Sequence, residues 1–213
     1  MKKIFCLGAV TLMLISSCSN TQLITSWKAP EATLQNYNKI LVVALTGSKD
    51  RELRESIENA VAGRLSDEGL NTATASQQFG PRSFRTMSED EAVRTVNDNG
   101  FDAVMVVSLL DKQQESNYTP GYISSTPYAV ARNRWYGGYR VIYDRVYNPG
   151  YYTTTVDYTL EADFYQTRGD ILVYSAQAKS FDPASSEDLA GDFSRTVVKD
   201  MIGKGILGNT IRS

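Results

Sequence analysis

The chain has no histidine. That absence removes Ser-His-Asp and Cys-His catalysis, together with every His-ligated metal site. Cysteine is nearly absent as well: only Cys6 and Cys18 occur in 213 residues. Neither sign of charge dominates. The 22 Lys+Arg stand against 24 Asp+Glu, a formal net charge of −2. A chain so balanced offers no electrostatic case for nucleic acid. The N-terminal apolar stretch, Ile4 to Ile15, has only twelve residues. A helix crossing about 30 Å of hydrocarbon needs about 20. What is present is an ordinary globular composition, 42% apolar and 22% charged. It suffices for one sizeable core, or at most two small ones.

The first eighteen residues read as an address. Met1-Lys2-Lys3 is a positive n-region, and Ile4 to Ile15 has the length of a signal-peptide h-region. Ile15-Ser16-Ser17-Cys18 then sets small residues directly before a cysteine. This resembles the bacterial lipobox, in which the cysteine is acylated and becomes the first residue. A plain secretory cleavage site would instead favour an Ala-x-Ala-like end. Cys6 leaves with the signal and lipid occupies Cys18, so the mature chain holds no free thiol for a disulfide, a nucleophile or a metal. Removing Lys2 and Lys3 leaves 20 basic against 24 acidic side chains, a charge of −4. More than one acyl chain on Cys18 would make the anchor stable rather than marginal. Ser19 follows, not the Asp that resembles an inner-membrane retention signal. The expected address is therefore the outer membrane, lipid-anchored and facing the periplasm, with 1–17 as signal peptide and 18–38 as tether and first short strand.

The mature chain alternates strands and helices. Leu23 to Trp27 forms a short strand before Ala29-Pro30. Lys39 to Leu45 is apolar on both faces, the mark of a doubly covered strand. Leu53, Ile57, Ala60, Val61 and Leu65 recur at helical spacing, and Gly69 stops them. Leu70 to Ala75 reads as a strand. Ser88 with Glu91 is a capping box that opens a short helix bearing Ala92, Val93 and Val96, ended by Gly100. Asp102 to Leu110 is again apolar on both faces. Such alternation argues for an α/β layer with right-handed crossovers.

The pattern then changes. Residues 118–158 hold ten of the thirteen Tyr, plus Trp135, punctuated by Pro120-Gly121, Gly137-Gly138 and Pro149-Gly150. Tyr139, Val141 and Tyr143 alternate along a strand. Asn148-Pro149-Gly150-Tyr151 fits a type II turn. From Tyr152 to Gln166 the even positions Val156, Tyr158, Leu160, Ala162 and Phe164 are apolar and the odd ones polar, giving one covered and one wet face. With Ile171 to Ala178, residues 139–178 read as an antiparallel meander. Ser185 caps a last helix with Leu189, Phe193, Val197 and Met201 in four-residue steps.

Candidate chemistry is sparse. Gly203-Lys204-Gly205-Ile206-Leu207-Gly208 spells the dinucleotide fingerprint, but a helix precedes it where a strand is required. It reads as helix-ending glycines, so no cofactor is expected. Asp157, Glu161 and Asp163 share a strand face. Glu161 and Asp163 lie roughly 7 Å apart, within glycosidase or calcium range. Same-face carboxylates on a wet strand also serve as ordinary solvated surface. Asn117-Tyr118-Thr119 matches a glycosylation sequon, a chance match behind a bacterial lipobox. The unusual feature is the aromatic and Arg-rich stretch, with Arg132, Arg134, Arg140 and Arg145. Tyr and Trp bury area cheaply and keep a polar tip. Tyr122, Tyr128, Arg134, Trp135, Tyr136, Tyr139 and Tyr143 are the expected partner contacts, against the plainer reading of a hairpin packed on its own sheet.

Several stretches together resemble a widespread family of small bacterial lipoproteins with a Tyr/Gly-rich insertion. They are Ser26-Trp27-Lys28 with Pro30, Lys39 to Val43, Asp50-Arg51 leading to Glu55 and Glu58, Tyr118 to Gly121, Asp170 to Ser175, and Phe181-Asp182-Pro183. The order of elements distantly resembles the TolB N-terminal domain and the curli-secretion lipoprotein. That resemblance implies a mixed sheet with helices packed on it, a single α/β domain over 39–213, and a Tyr-rich β-hairpin inserted at 118–155. It raises the expectation of envelope assembly or regulation over catalysis, with a protein or glycan partner. Two alternatives stand beside this non-enzymatic reading. One is a pore-forming oligomer built from the hairpin, in which Arg140 or Arg145 would cost about 2–4 kcal/mol at the bilayer midplane. The other is a glycan-active enzyme using Asp157, Glu161 or Asp163. The address is tested directly: Cys18→Ala should abolish acylation and release the protein from membranes or leave its signal uncleaved, as read by fractionation and gel migration. A variant indistinguishable from the parent would refute the lipobox.

Overall fold

A computed structural model describes residues 20–32, 37–47, 50–81, 84, 87–132 and 139–207, with the side chains of 126–144 outside that description. The signal peptide and Cys18 therefore lie outside the described residues. The elements are β1 (Thr21–Lys28), β2 (Ile40–Leu45), α1 (Arg51–Asp67), β3 (Thr72–Thr74), α2 (Ala75–Phe79), α3 (Glu89–Asp98), β4 (Ala103–Thr119), β5 (Tyr122–Arg132), β6 (Tyr139–Asn148), β7 (Tyr151–Gln166), β8 (Ile171–Ser180) and α4 (Ser186–Gly203). The chain divides into two compact units, residues 114–156 and the remainder.

The larger unit is a mixed sheet in the order β1-β8-β7-β4-β2-β3 with helices packed on it. It is an α/β fold. β2 pairs in parallel with β3 and β4, while β8 pairs antiparallel with β1 and β7. The double apolarity of β2 has a direct structural meaning. Ile40, Val42 and Ala44 enter one core, with Leu53, Ile57, Val61 and Leu65 of α1 and Leu189, Phe193, Val197 and Met201 of α4. Leu41 and Val43 enter a second core with Ala75, Val96 and Phe101, against which Val104 packs. The strand is thus buried on both faces, as a parallel strand between helical layers must be. β7 is one-sided: Leu160, Ala162 and Phe164 are buried, and the odd positions face outward.

Helix ends follow their sequence signals. At α3 the Ser88 hydroxyl accepts from Glu91 N, and the Glu91 carboxylate accepts from Ser88 N. Gly100 then adopts a φ of +73° that favours glycine. At the end of α4, Gly205 N donates to Ile202 O and Ile206 N to Met201 O, with Gly205 at φ +66°. This is a Schellman end, with Ile206 buried beneath it. The glycines of 203–205 therefore terminate a helix.

Four local readings change. The strand expected at 70–75 is only Thr72–Thr74, because Thr74 accepts from Gln77 N and caps α2. β4 extends to Thr119, well past Leu110. The meander over 139–178 is broken: β6 pairs with β5 in a separate two-stranded sheet, and β7 lies between β4 and β8. The type II turn at 148–151 is absent too, since Gly150 is not among the glycines with positive φ. Its small size serves a close approach instead. A Cβ on Gly150 would sit 2.9 Å from Gly121 N, and one on Gly121 would sit 2.6 Å from Gly150 N.

β3 ends at Thr74, so β2 loses that neighbour beyond Val42. Glu58, buried on α1, fills the gap. Its Oε1 accepts from Ala44 N at 3.1 Å and its Oε2 from Ser76 N at 2.9 Å. Charged acceptors strengthen such bonds. At the other end of β2, Asp102 accepts from Asn38 N and Lys39 N. The fold rests on the α1–α4 layer, where Phe193 is fully buried. Phe193→Ala should lower unfolding free energy by about 3–5 kcal/mol in urea titrations; an unchanged midpoint would remove α4 from the core.

Candidate functional site

Residues 114–156 are built on the β5–β6 ladder, which runs from Tyr122 opposite Asn148 to Arg132 opposite Tyr139. The register slips between Pro127 and Ala129, leaving Tyr128 as the extra residue of a bulge. Proline cannot donate to a ladder, so a bulge is where a strand tolerates it. Ile123 and Tyr147 are directly opposite and both well exposed. Tyr118 and Tyr152 meet with ring centroids 4.8 Å apart, and the Ser116 and Thr154 hydroxyls share a hydrogen bond of 3.2 Å. Tyr122, Tyr147 and Tyr152 are 64%, 69% and 74% exposed. Large exposed aromatics with hydroxyl tips can bury apolar area against a partner while keeping their hydrogen bonds.

Of the expected contacts, Tyr122 lies on this exposed surface. Tyr128, Tyr139 and Tyr143 lie on β5 and β6, opposite or beside Arg132 and Pro127, with side chains outside the described set. Arg134, Trp135 and Tyr136 fall outside the described residues. Sequence reasoning passed over Tyr118, Tyr147, Tyr151 and Tyr152, all exposed. Their signal was the clustering itself; that Tyr118 meets Tyr152 follows only from β4 and β7 being neighbours in the sheet.

The three carboxylates of β7 do share the outward face, and each meets a residue of β8. Asp157 pairs with Lys179 at 3.1 Å, and Glu161 accepts from Gln177 Nε2 at 2.9 Å. Asp163 stands opposite Ser175, which bonds its carboxylate. Partial burial nonetheless raises the Asp163 pKa above the usual carboxylate value. The Ser175 hydrogen bond opposes this, and the nearby charge of Glu161 adds to it. These contacts give the carboxylates a structural role along β7. Among the described residues no group of three His, Cys, Asp or Glu is placed to hold a metal, and no helix is long and apolar enough to cross a membrane.

No protein-family model matches the chain, and no curated protein matches its sequence. Solved structures are similar in fold only. The PelC dodecamer from Paraburkholderia phytofirmans aligns with a TM-score of 0.46 at 8% identity, over 83% of this chain and 94% of that one. Lipoprotein GNA1162 from Neisseria meningitidis aligns with a TM-score of 0.42 at 15% identity, over 78% of this chain and 99% of that one. Likenesses this distant leave function to be argued from the chain's own residues.

A carboxyl group with a raised folded pKa stabilises the fold when protonated, and that contribution is lost as pH rises through the raised value. Asp163→Asn keeps an acceptor for Ser175 without the charge. It should raise the urea midpoint at pH 7, and the gain should shrink as pH falls towards 4. A gain that is absent at pH 7, or unchanged at pH 4, would contradict this electrostatic account.

Proposed function

We propose that this chain is a lipid-anchored, periplasm-facing, non-enzymatic binding or assembly factor of the bacterial cell envelope. Its contact surface is the Tyr-rich unit, residues 114–156. One observation carries the reading. Among the described residues, seven of the fourteen exposed large apolar side chains fall in this unit: Tyr118, Tyr122, Ile123, Val146, Tyr147, Tyr151 and Tyr152. Apolar exposure so concentrated marks interaction surfaces rather than chance.

Charge supports it. The unit has four Arg, no Lys and two acidic residues, whereas the mature chain as a whole is acidic. Arg and Tyr are the side chains enriched where partners meet. The lipobox-like Ile15 to Cys18 supports the anchor, and the absence of histidine and of any free thiol in the mature chain supports a role without covalent chemistry.

The close approach of Gly121 and Gly150 makes a clean test possible. Tyr122 to Pro149 can be removed and the two glycines joined by a short Gly-rich link, because their backbones already lie in contact. The shortened protein should keep its cooperative unfolding transition. It should lose the partners captured by the parent in cross-linked envelopes. Retention of every parent partner would place the contact surface elsewhere.

A further inference from the structure

Asn20 is held by the fold on both sides of its backbone. Its N donates to Asp192 Oδ2 on α4 at 3.0 Å, and its O accepts from Phe181 N, just past β8, at 3.0 Å. Cys18 stands only two residues earlier. Two residues of chain span at most about 7 Å, however they are arranged. Acyl chains on Cys18 would therefore leave the folded body no slack. A long flexible tether lets a domain turn freely above a membrane. One this short keeps the Asn20 corner at the headgroup layer, which is about 5–7 Å deep on each side of the hydrocarbon.

The corner has the side chains for that position. Phe181 is 39% exposed, and Leu23 and Ile24, three and four residues beyond Asn20, are exposed as well. Aromatic rings gather at membrane–water interfaces. The nearby cations are already matched. Lys179, whose ammonium lies 5.0 Å from the Phe181 ring centre, pairs with Asp157, and Arg195 pairs with Asp192. Asp182, next in the chain, is acidic and exposed. The contact that this corner favours is apolar, with no preference for anionic lipid.

We propose that the Asn20–Phe181 corner is a bilayer-contact surface, with the Phe181 ring seated in the lipid interface beside the acyl anchor. The protein then holds the membrane at two points, lipid and ring, which fixes the end of the sheet that faces the bilayer. This rests on the reading of Cys18 as acylated, and is independent of the role given to residues 114–156.

The test uses the full acylated chain in phosphatidylcholine vesicles, with Trp27→Phe and Trp135→Phe as background. Phe181→Trp is compared with Ile171→Trp. Ile171 is 51% exposed but begins the ten-residue β8, so it lies about 30 Å along the strand from Phe181. Lipids brominated on the acyl chain should quench Phe181→Trp fluorescence at least about twofold more than Ile171→Trp, and raised salt should not reduce the effect. Equal quenching of the two, no quenching of either, or loss of the effect in salt overturns the proposal. The mass of the reconstituted protein separates two failures. Without acyl chains on Cys18 the anchor falls and this contact with it. With acyl chains present and Phe181→Trp unquenched, only the contact falls. Should Phe181→Trp fail to fold, the parent's Phe181 ring resonances decide: spin-labelled lipid should broaden them, and unbroadened signals overturn the contact.

Discussion

Both hydrophobic cores meet on β2, and the remaining architecture follows from that. Five successive residues, Ile40 to Ala44, are buried, alternately towards α1 with α4 and towards α2 with α3. No position in the run can accept a polar side chain without stranding it, and helices are required on both sides. The antiparallel half of the sheet is under no such demand. There Leu160, Ala162, Ala176 and Ala178 close the α4 core, and the opposite face is left to Thr25, Gln177 and Glu161 in one cross-strand row. The sheet changes character from doubly covered to one-sided between β2 and β7, which is why the two halves read so differently as sequence.

A short β3 creates the second constraint. β2 runs three residues beyond its pairing with β3, and a buried backbone N–H left there must find an acceptor. Glu58 supplies it from the side, so a side chain completes what a strand would otherwise have done. The cost is a carboxylate inside the protein, offset by two backbone donors. Placing Arg54 one turn earlier puts its guanidinium in the same buried end of the sheet. Glu58 turns each oxygen to a backbone donor, whereas Nε and Nη1 of Arg54 are buried without a hydrogen bond.

Legibility in the sequence tracked how local the cause was. The doubly apolar runs, the stripes of α1 and α4, the capping box at Ser88 and the glycine ends were readable because each is written within one or two turns of chain. The pairing partner of β6 was not, because strand pairing is decided by distant segments. Asn148-Pro149-Gly150 has the composition of a turn whether the glycine serves a positive φ or a close approach to Gly121. Glu58 and Arg54 were invisible for a related reason. In a helix that also carries Arg51, Glu52 and Glu55, nothing local marks which charged residues turn inward. The carboxylates of β7 were placed correctly on one face, but their partners on β8 emerge only from register.

The construction of residues 114–156 bears on what they can do. A two-stranded ladder in water is marginal by itself, so β5 and β6 need help from cross-strand side chains or from something added. Opposed pairs such as Ile123 with Tyr147 provide part of that, at a few tenths to about 1 kcal/mol each. A bare ladder also exposes backbone groups that invite indiscriminate strand addition. Pro127 and the bulge at Tyr128 interrupt β5 in the middle, and Arg132, Arg140 and Arg145 place charge along the same ladder. Those features discourage uncontrolled pairing. On the function proposed above, a hairpin interrupted at its backbone, with the rings of Tyr122 and Tyr147 exposed, would favour recognition through side chains over strand exchange.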